Sequence, residues 1–234
     1  MNKFTVSSLF AGVGGIDKGF EQAGFKIIWA NEIDKYACIT YRTNFSHELV
    51  EGDIRNLSGN DMPDTDVLTA GWPCVAFSVA GNRHGMNYQC HVCNHKHLVR
   101  YDEYINGTVC PECGGYTEAI DSRGTLFFDI IRFIRAKKPK AIFLENVKNL
   151  KGHDQGNTFK VIQQMLKESG YYFDSRILNT MDYGNIPQNR ERIFIVGFRE
   201  KEVLDKFVWP NRIPLTKTID DILDRYEKQD DKYY

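Results

Sequence analysis

Short apolar runs rich in β-branched residues alternate along the chain with segments whose apolar positions recur every three or four residues. Thr5–Phe10 is the first run, and Ile16, Phe20 and Ala23 then recur at helical spacing before a stop at Gly24. Lys26–Ala30 predicts a second strand and Asp34 to Asn44 a helix, although Thr40, Tyr41 and Thr43 are poor helix formers. Leu49–Glu51 and Asp66–Ala70 predict strands three and four. Leu126, Ile130, Ile131 and Ile134 mark an amphipathic helix closed by basic residues before Pro139. Ala141–Leu144 predicts a buried fifth strand. Phe159, Ile162, Met165 and Leu166 mark another helix, with Gly170 just past its end. Tyr172–Leu178 and Arg192–Phe198 predict two last strands with no helix between them, so one of the two is expected to run antiparallel. The rhythm predicts an α/β fold with a doubly wound, mostly parallel sheet.

Residues 86–120 interrupt this rhythm. They hold few aliphatic residues, two cysteine pairs and three of the six histidines, and read as an inserted module. Segments 1–85 and 121–209 then form the main domain, and 210–234 reads as a connector with a short charged helix. A length of 234 residues suits one domain plus a small insert, and 42% hydrophobic with 26% charged residues suits a folded chain. No apolar stretch is long enough to span a membrane, and the first residues lack a signal-peptide layout. The formal net charge of −1 gives no global basic field, so any nucleic-acid contact must come from local patches or a second polypeptide.

Without a secretory context, paired cysteines read as metal ligands before disulfides. Cys90-x2-Cys93-x16-Cys110-x2-Cys113 fits a four-thiolate zinc site. One of His91, His95 or His97 replacing a cysteine is the alternative ligand set. Cys38 reads as a small buried hydrophobe.

In open α/β sheets, ligands bind beyond the carboxyl ends of the strands. Those ends carry Phe10-Ala11-Gly12-Val13-Gly14-Gly15, Asn31-Glu32, Gly52-Asp53-Ile54, Gly71-Trp72-Pro73-Cys74 and Glu145-Asn146-Val147. Glycines let a ligand approach backbone at a helix N-terminus, and an acid about twenty residues on suits ribose hydroxyls. The run departs from G-x-G-x-x-G because residue 17 is Asp, and taken alone it also suits a plain tight turn. An adenosine-containing cofactor is the functional reading, with Asp53 placed to reach an adenine amino group. Cys74, after a proline at a strand end, suits a nucleophile. Glu145, after an apolar strand, suits a general acid. Arg190 and Arg192 offer fixed fork donors for a carbonyl or phosphate.

Together these pieces resemble the DNA (cytosine-5)-methyltransferases. The matching segments are Phe10–Gly15, Asn31-Glu32, Gly52–Ile54, Pro73-Cys74-Val-Ala-Phe-Ser78, Ser122–Phe128, Glu145–Val147 and Gln188–Ile193, in family order. The resemblance implies a Rossmann-like fold using S-adenosylmethionine. It implies methyl transfer to C5 of a cytosine flipped out of double-stranded DNA, through a covalent adduct between Cys74 and C6. Glu145 would meet N3 and the exocyclic amine, Arg192 the O2 carbonyl, and Arg190 would position the adduct. Phe10 would stack on the cofactor's adenine, with Gly12, Val13, Gly14 and Gly15 as its loop. Glu32 and Ile33 would serve the ribose, and Asp53 and Ile54 the adenine. Pro73 and Leu126 would line the cofactor pocket, and Trp72, Ser78 and Asn146 would adjoin the target nucleotide.

Three features depart from the family pattern. Val75 stands where the family commonly has Gln. The cysteine module sits in a loop that the family keeps short; with two Lys/Arg against four Asp/Glu it is expected to shape that loop rather than clamp DNA electrostatically. The family's target-recognition region and final segment do not follow residue 222, which implies a truncated chain or a partner polypeptide supplying them; a degenerate, non-catalytic relative is a third option, against which the intact Cys74, Glu145 and Arg192 count. The family context implies a cytoplasmic enzyme of a bacterium or phage, in restriction-modification or as an orphan. Three alternatives stay open: a tRNA cytosine-5 methyltransferase, a nicotinamide oxidoreductase on the same glycine loop, and a non-enzymatic zinc-ribbon interaction protein.

Overall fold

The computed structural model describes residues 3–73, 86–99, 101–120 and 123–223. Cys74 and Ser78, and the Val75 departure between them, lie outside the described residues. The first apolar runs become strands β1 (Thr5–Leu9), β2 (Lys26–Glu32), β3 (Glu48–Glu51) and β4 (Val67–Gly71), all parallel. Side chains are buried in β1, β2 and β4, while the edge strand β3 is only partly covered. A separate three-stranded sheet follows, from β5 (Asn87–Cys90), β6 (Lys96–Leu98) and β7 (Thr117–Ala119). The main sheet then resumes with β8 (Ala141–Val147), β9 (Tyr172–Asn179) and β10 (Glu191–Phe198), giving the order β3-β2-β1-β4-β8-β10-β9. The reversed strand is β10, antiparallel to both β8 and β9. Order and direction make this a doubly wound, mostly parallel α/β sheet, as the pattern predicts.

Two strands run further than the apolar pattern indicates. Asn31 and Glu32 belong to β2 itself, paired with Val50 and Glu51 of β3. Glu145, Asn146 and Val147 belong to β8, paired with Phe194, Ile193 and Arg192. These polar residues therefore lie within the last turns of ladder rather than in loops beyond it.

Helix α1 (Gly15–Gln22) starts at Gly14 in the left-handed region and ends before Gly24, whose φ is +93°. Asp34 caps α2 (Lys35–Asn44), its carboxylate accepting from the Ala37 N–H at 2.7 Å. The insert contributes α3 (Tyr101–Asn106). Helix α4 (Leu126–Lys137) is buried along its first nine residues except Arg132, and α5 (Asn157–Glu168) buries Phe159, Ile162, Met165 and Leu166. One core cluster joins α4, α5 and the inner faces of β1, β4, β8 and β10. Met86 and Val99 of the insert are fully buried in that same cluster.

The opposite face of the sheet is less covered. Phe20 of α1 packs edge-on to Phe143 at 5.3 Å, and Phe143 tilts against Phe194 at 5.5 Å. Beyond them an open apolar hollow of about 1390 Å³ is lined by Phe20, Phe25, Phe143, Phe194, Phe198 and Trp209.

Candidate active site

The carboxyl edge of β1, β2, β4 and β8 gathers the residues singled out from the sequence. The glycine turn after β1 is tightly wound: Phe10 is at φ +55°, Gly12 at +57° and Gly14 at +90°. A left-handed conformation costs a side-chain-bearing residue roughly 1–2 kcal/mol, so Phe10 is held there by its surroundings. Gly14 has a steric reason too, because a Cβ there would come within 2.3 Å of the Phe45 ring. Cβ atoms built on Gly12, Gly15 and Gly52 would meet nothing within 4 Å. These three glycines border open space, which is the cradle a ligand needs for close approach to backbone.

Glu32 ties this turn to β2. One carboxylate oxygen accepts from the Gly12 N–H at 2.7 Å, the other from the Ile33 and Asp34 N–H groups at 2.8 Å each. Asn31, buried one residue earlier, donates its amide to the carbonyls of Val50 and Gly52 at 3.0 and 2.9 Å. Three strand ends are thereby locked together. Val13 and Ile33 stay 56% and 60% exposed beside this turn, apolar side chains left for a ligand to cover. Asp53 caps the turn at Ile54–Asn56 and forms an ion pair with Arg55 at 2.5 Å, which holds its carboxyl below the usual range. Ile54 and Leu126 are buried in the core, so they support this edge from beneath.

The second half of the site lies across β4, β8 and β10. Glu145 Oε1 meets Arg192 Nε at 3.1 Å, both side chains about one-fifth exposed at 18% and 22%. A Cβ on Gly71 would lie 3.4 Å from both Glu145 Oε2 and Ile16 of α1, so the missing side chain makes room for the carboxylate beside the glycine turn. Burial raises the Glu145 pKa; Arg192 and Arg190 oppose that rise. Arg190 is exposed at the start of β10, its N–H donating to the Asn179 side chain at 3.1 Å. Asn146 is buried and donates to the Trp72 carbonyl at 3.1 Å, which fixes the backbone leading into Pro73. Trp72, expected beside the target nucleotide, is buried and packs its ring on Phe127 at 5.3 Å. It belongs to the core because β4 ends with that side chain turned toward α4.

Sequence reading missed a buried relay beneath the glycine turn. The Tyr41 hydroxyl donates to Asp17 at 2.5 Å and lies 2.7 Å from His47 Nε2. Asp17 is fully buried, and burial raises its pKa. The signal was present: Asp17 occupies the place of a third glycine, where an acid is out of pattern. Cys38 is buried, as expected.

In the insert, the four cysteine Sγ atoms all lie within 4.8 Å of one another. The closest pairs are 3.4–3.5 Å apart. That spacing excludes disulfides and approaches the roughly 3.8 Å edge of a tetrahedron with zinc–sulfur bonds of about 2.3 Å. Two matching knuckles build the cluster. Asn94 donates to the Cys90 carbonyl and Gly114 to the Cys110 carbonyl, both from left-handed backbone. The Cys93 N–H, followed by that of Val92, points at Cys90 Sγ and pulls its thiol down to about 6. This donor set fits zinc. The histidines are not part of it among the described residues.

No helix among the described residues is long and apolar enough to cross a membrane. The chain is 50% identical over 230 residues to the type II methyltransferase M.Bsp6I of Bacillus sp. (strain RFL6), with 98% of this chain and 63% of that protein aligned. It is 40% identical over 215 residues to the type II methyltransferase M.HhaI of Haemophilus parahaemolyticus, covering 92% of this chain and 55% of that one. The chain thus spans less than two thirds of the length of either relative. The crystal structure of the S. pombe Dnmt2 methyltransferase shares the fold, with a TM-score of 0.59 and 18% identity over 94% of this chain and 54% of that one. The model of the C-5 cytosine-specific DNA methylases matches residues 4–91 and 112–234, leaving out most of the cysteine module, and the chain belongs to that family.

Proposed function

We propose that this chain carries the catalytic region of an S-adenosylmethionine-dependent DNA (cytosine-5)-methyltransferase. The observation that carries the reading is the partly buried Glu145–Arg192 pair set beside an open glycine cradle on one sheet edge. S-adenosylmethionine would supply the methyl group. Phe10, Gly12, Val13, Gly14 and Gly15 would hold its adenosine, Glu32 and Ile33 its ribose, and Asp53 and Ile54 its adenine. An incoming adenine amino group competes with Arg55 for the Asp53 carboxylate. Pro73 and Leu126 would complete the pocket wall.

The Cys74 thiolate would add to C6 of a flipped-out cytosine, making C5 nucleophilic enough to take the methyl group. Glu145, whose pKa burial raises, would interact with N3 and the exocyclic amine and offset the charge that develops there. Arg192, already aligned on Glu145, would donate to O2, and Arg190 would steady the adduct. Loss of the C5 proton and expulsion of the thiolate would regenerate the enzyme. Ser78, Trp72 and Asn146 would frame the nucleotide.

The matching family model is of DNA methylases and the named relatives at 40–50% identity are type II methyltransferases, which favours DNA over tRNA and supports a cytoplasmic restriction-modification role in a bacterium or phage. Zinc held by Cys90, Cys93, Cys110 and Cys113 would be structural. The domain division is 1–85 with 121–209, a zinc module at 86–120, and a connector at 210–234. A target-recognition region, on further chain or on a second polypeptide, would cover the open apolar face and supply the basic surface that a net charge of −1 lacks.

The cofactor half is tested by calorimetry with S-adenosylhomocysteine. Glu32→Ala removes the acceptor of three backbone N–H groups and is expected to weaken binding at least tenfold. Equal affinity in the variant would contradict the assignment.

A further inference from the structure

The cysteine module is joined to the adenine-side turn by a chain of side chains that no step above uses. Helix α3 lies eight residues after Cys93, and its Tyr104 packs on Phe128 of α4 at 4.9 Å between ring centres. The Tyr104 hydroxyl donates to Asp129 Oδ2 at 3.3 Å. Asp129 is 3% exposed, a carboxylate in the first turn of α4. Its other oxygen accepts from Arg132 Nη2 at 2.9 Å. The same Nη2 donates to the Ile54 carbonyl at 2.9 Å, and Arg132 Nη1 donates to the Leu57 carbonyl. Those two carbonyls bracket the turn that Asp53 caps. A buried carboxylate thus receives one donor from the insert and one from the guanidinium that pins Ile54–Leu57.

The insert is also clamped to α4 from other directions. Tyr101 meets Phe128 edge-on at 6.3 Å and lies under the Arg135 guanidinium at 4.2 Å. Met86 and Val99, which flank β5 and β6, are wholly inside the main core. The module therefore cannot loosen without disturbing the first turn of α4. That turn starts with Leu126 and continues into Asp129.

We propose that Asp129 and Arg132 are positioning residues for the adenine of the cofactor, and that the insert, closed by its metal, sets their geometry through Tyr104. The inference rests on the cofactor site proposed above. With the cysteine knuckles closed, α3 presents the Tyr104 hydroxyl, Asp129 stays aimed at Arg132, and the Ile54–Leu57 carbonyls stay in place. With the knuckles open, Asp129 loses its second donor and Arg132 is free to swing, so the adenine side of the pocket loses definition. Metal and cofactor are then coupled, and the coupling is reciprocal.

The test is S-adenosylhomocysteine affinity by calorimetry on the zinc-loaded chain, for wild type, Tyr104→Phe, Arg132→Lys and the double variant. Tyr104→Phe keeps the ring on Phe128 and removes only the hydroxyl. It is expected to weaken binding about three- to tenfold with zinc content unchanged. The two single effects are expected to be less than additive in the double variant, because both act through Asp129. Circular dichroism melting checks that each variant is folded at the assay temperature. Zinc retention in the presence of saturating S-adenosylhomocysteine, measured by a chromogenic chelator, is expected to be longer-lived than without it. Unchanged affinity in Tyr104→Phe, or strictly additive effects, would overturn the inference while leaving the cofactor site intact. Absence of binding by zinc-loaded wild type would instead overturn the cofactor site, and this inference with it.

Discussion

Glu145 is the residue on which the proposed chemistry turns. Its carboxylate sits at 18% exposure on a strand whose neighbours Phe143 and Phe194 are apolar, and burial raises its pKa. A general acid with a raised pKa is protonated below that value and lost above it. In the completed enzyme the kcat/KM profile should therefore fall as pH rises through the Glu145 value. Arg192→Ala removes the largest opposing influence, so that limb should move to higher pH even as activity drops. Glu145→Gln should lower turnover about 10²- to 10⁴-fold and leave S-adenosylhomocysteine affinity unchanged. A limb that stays in place in Arg192→Ala would mean that another group titrates. The linkage runs the same way for folding. The stability contributed by the raised pKa is complete below the ordinary carboxylate value and disappears as pH rises through the raised one.

At the scale of elements, the cysteine module is a small three-stranded sheet set in the chain between β4 and α4. Cys90→Ser removes a ligand from the end of β5, where both knuckles meet. The expected outcome is loss of the single bound zinc, by native mass spectrometry, and a melting temperature lowered by about 5 °C or more, since Met86 and Val99 lose their anchorage. Full metal content in Cys90→Ser would contradict the four-thiolate assignment.

The main sheet was legible from the sequence because its central strands are short apolar runs, and because Gly24, Gly170 and Asp34 punctuate the helices. The strand ends were not. Asn31, Glu32, Glu145 and Asn146 are polar, so the apolar pattern stops before the ladder does. They stay in the ladder because β3 and β10 supply backbone partners. The site was legible as a set of residues at strand ends, since spacing brings them to one edge. The Asp17–Tyr41–His47 relay and the Tyr104–Asp129–Arg132 path were not, because their members are polar residues distant in sequence and meet only through packing.

At the scale of the molecule, two surfaces are open among the described residues. One is the ligand edge. The other is the hollow across β8 and β10, where Phe143, Phe194 and Phe198 gather with Phe207 and Trp209. An apolar patch of this kind marks an interaction surface or an aggregation liability. The 234-residue chain alone should bind an apolar fluorescent dye strongly and self-associate. Supplying the C-terminal part of the Bacillus relative should suppress both, and undiminished dye binding would show that this face is not the docking site.

The most direct test of the central claim is covalent trapping. The chain, S-adenosylmethionine and duplex DNA carrying 5-fluorocytosine are incubated with the C-terminal part of the Bacillus relative, and the denatured products are weighed by mass spectrometry. Fluorine at C5 cannot leave as a proton does, so a competent enzyme stalls on its substrate. A methylated adduct that disappears in Cys74→Ala is the predicted result. A chain that binds S-adenosylhomocysteine and DNA under the same conditions but yields no Cys74-dependent adduct would contradict the account.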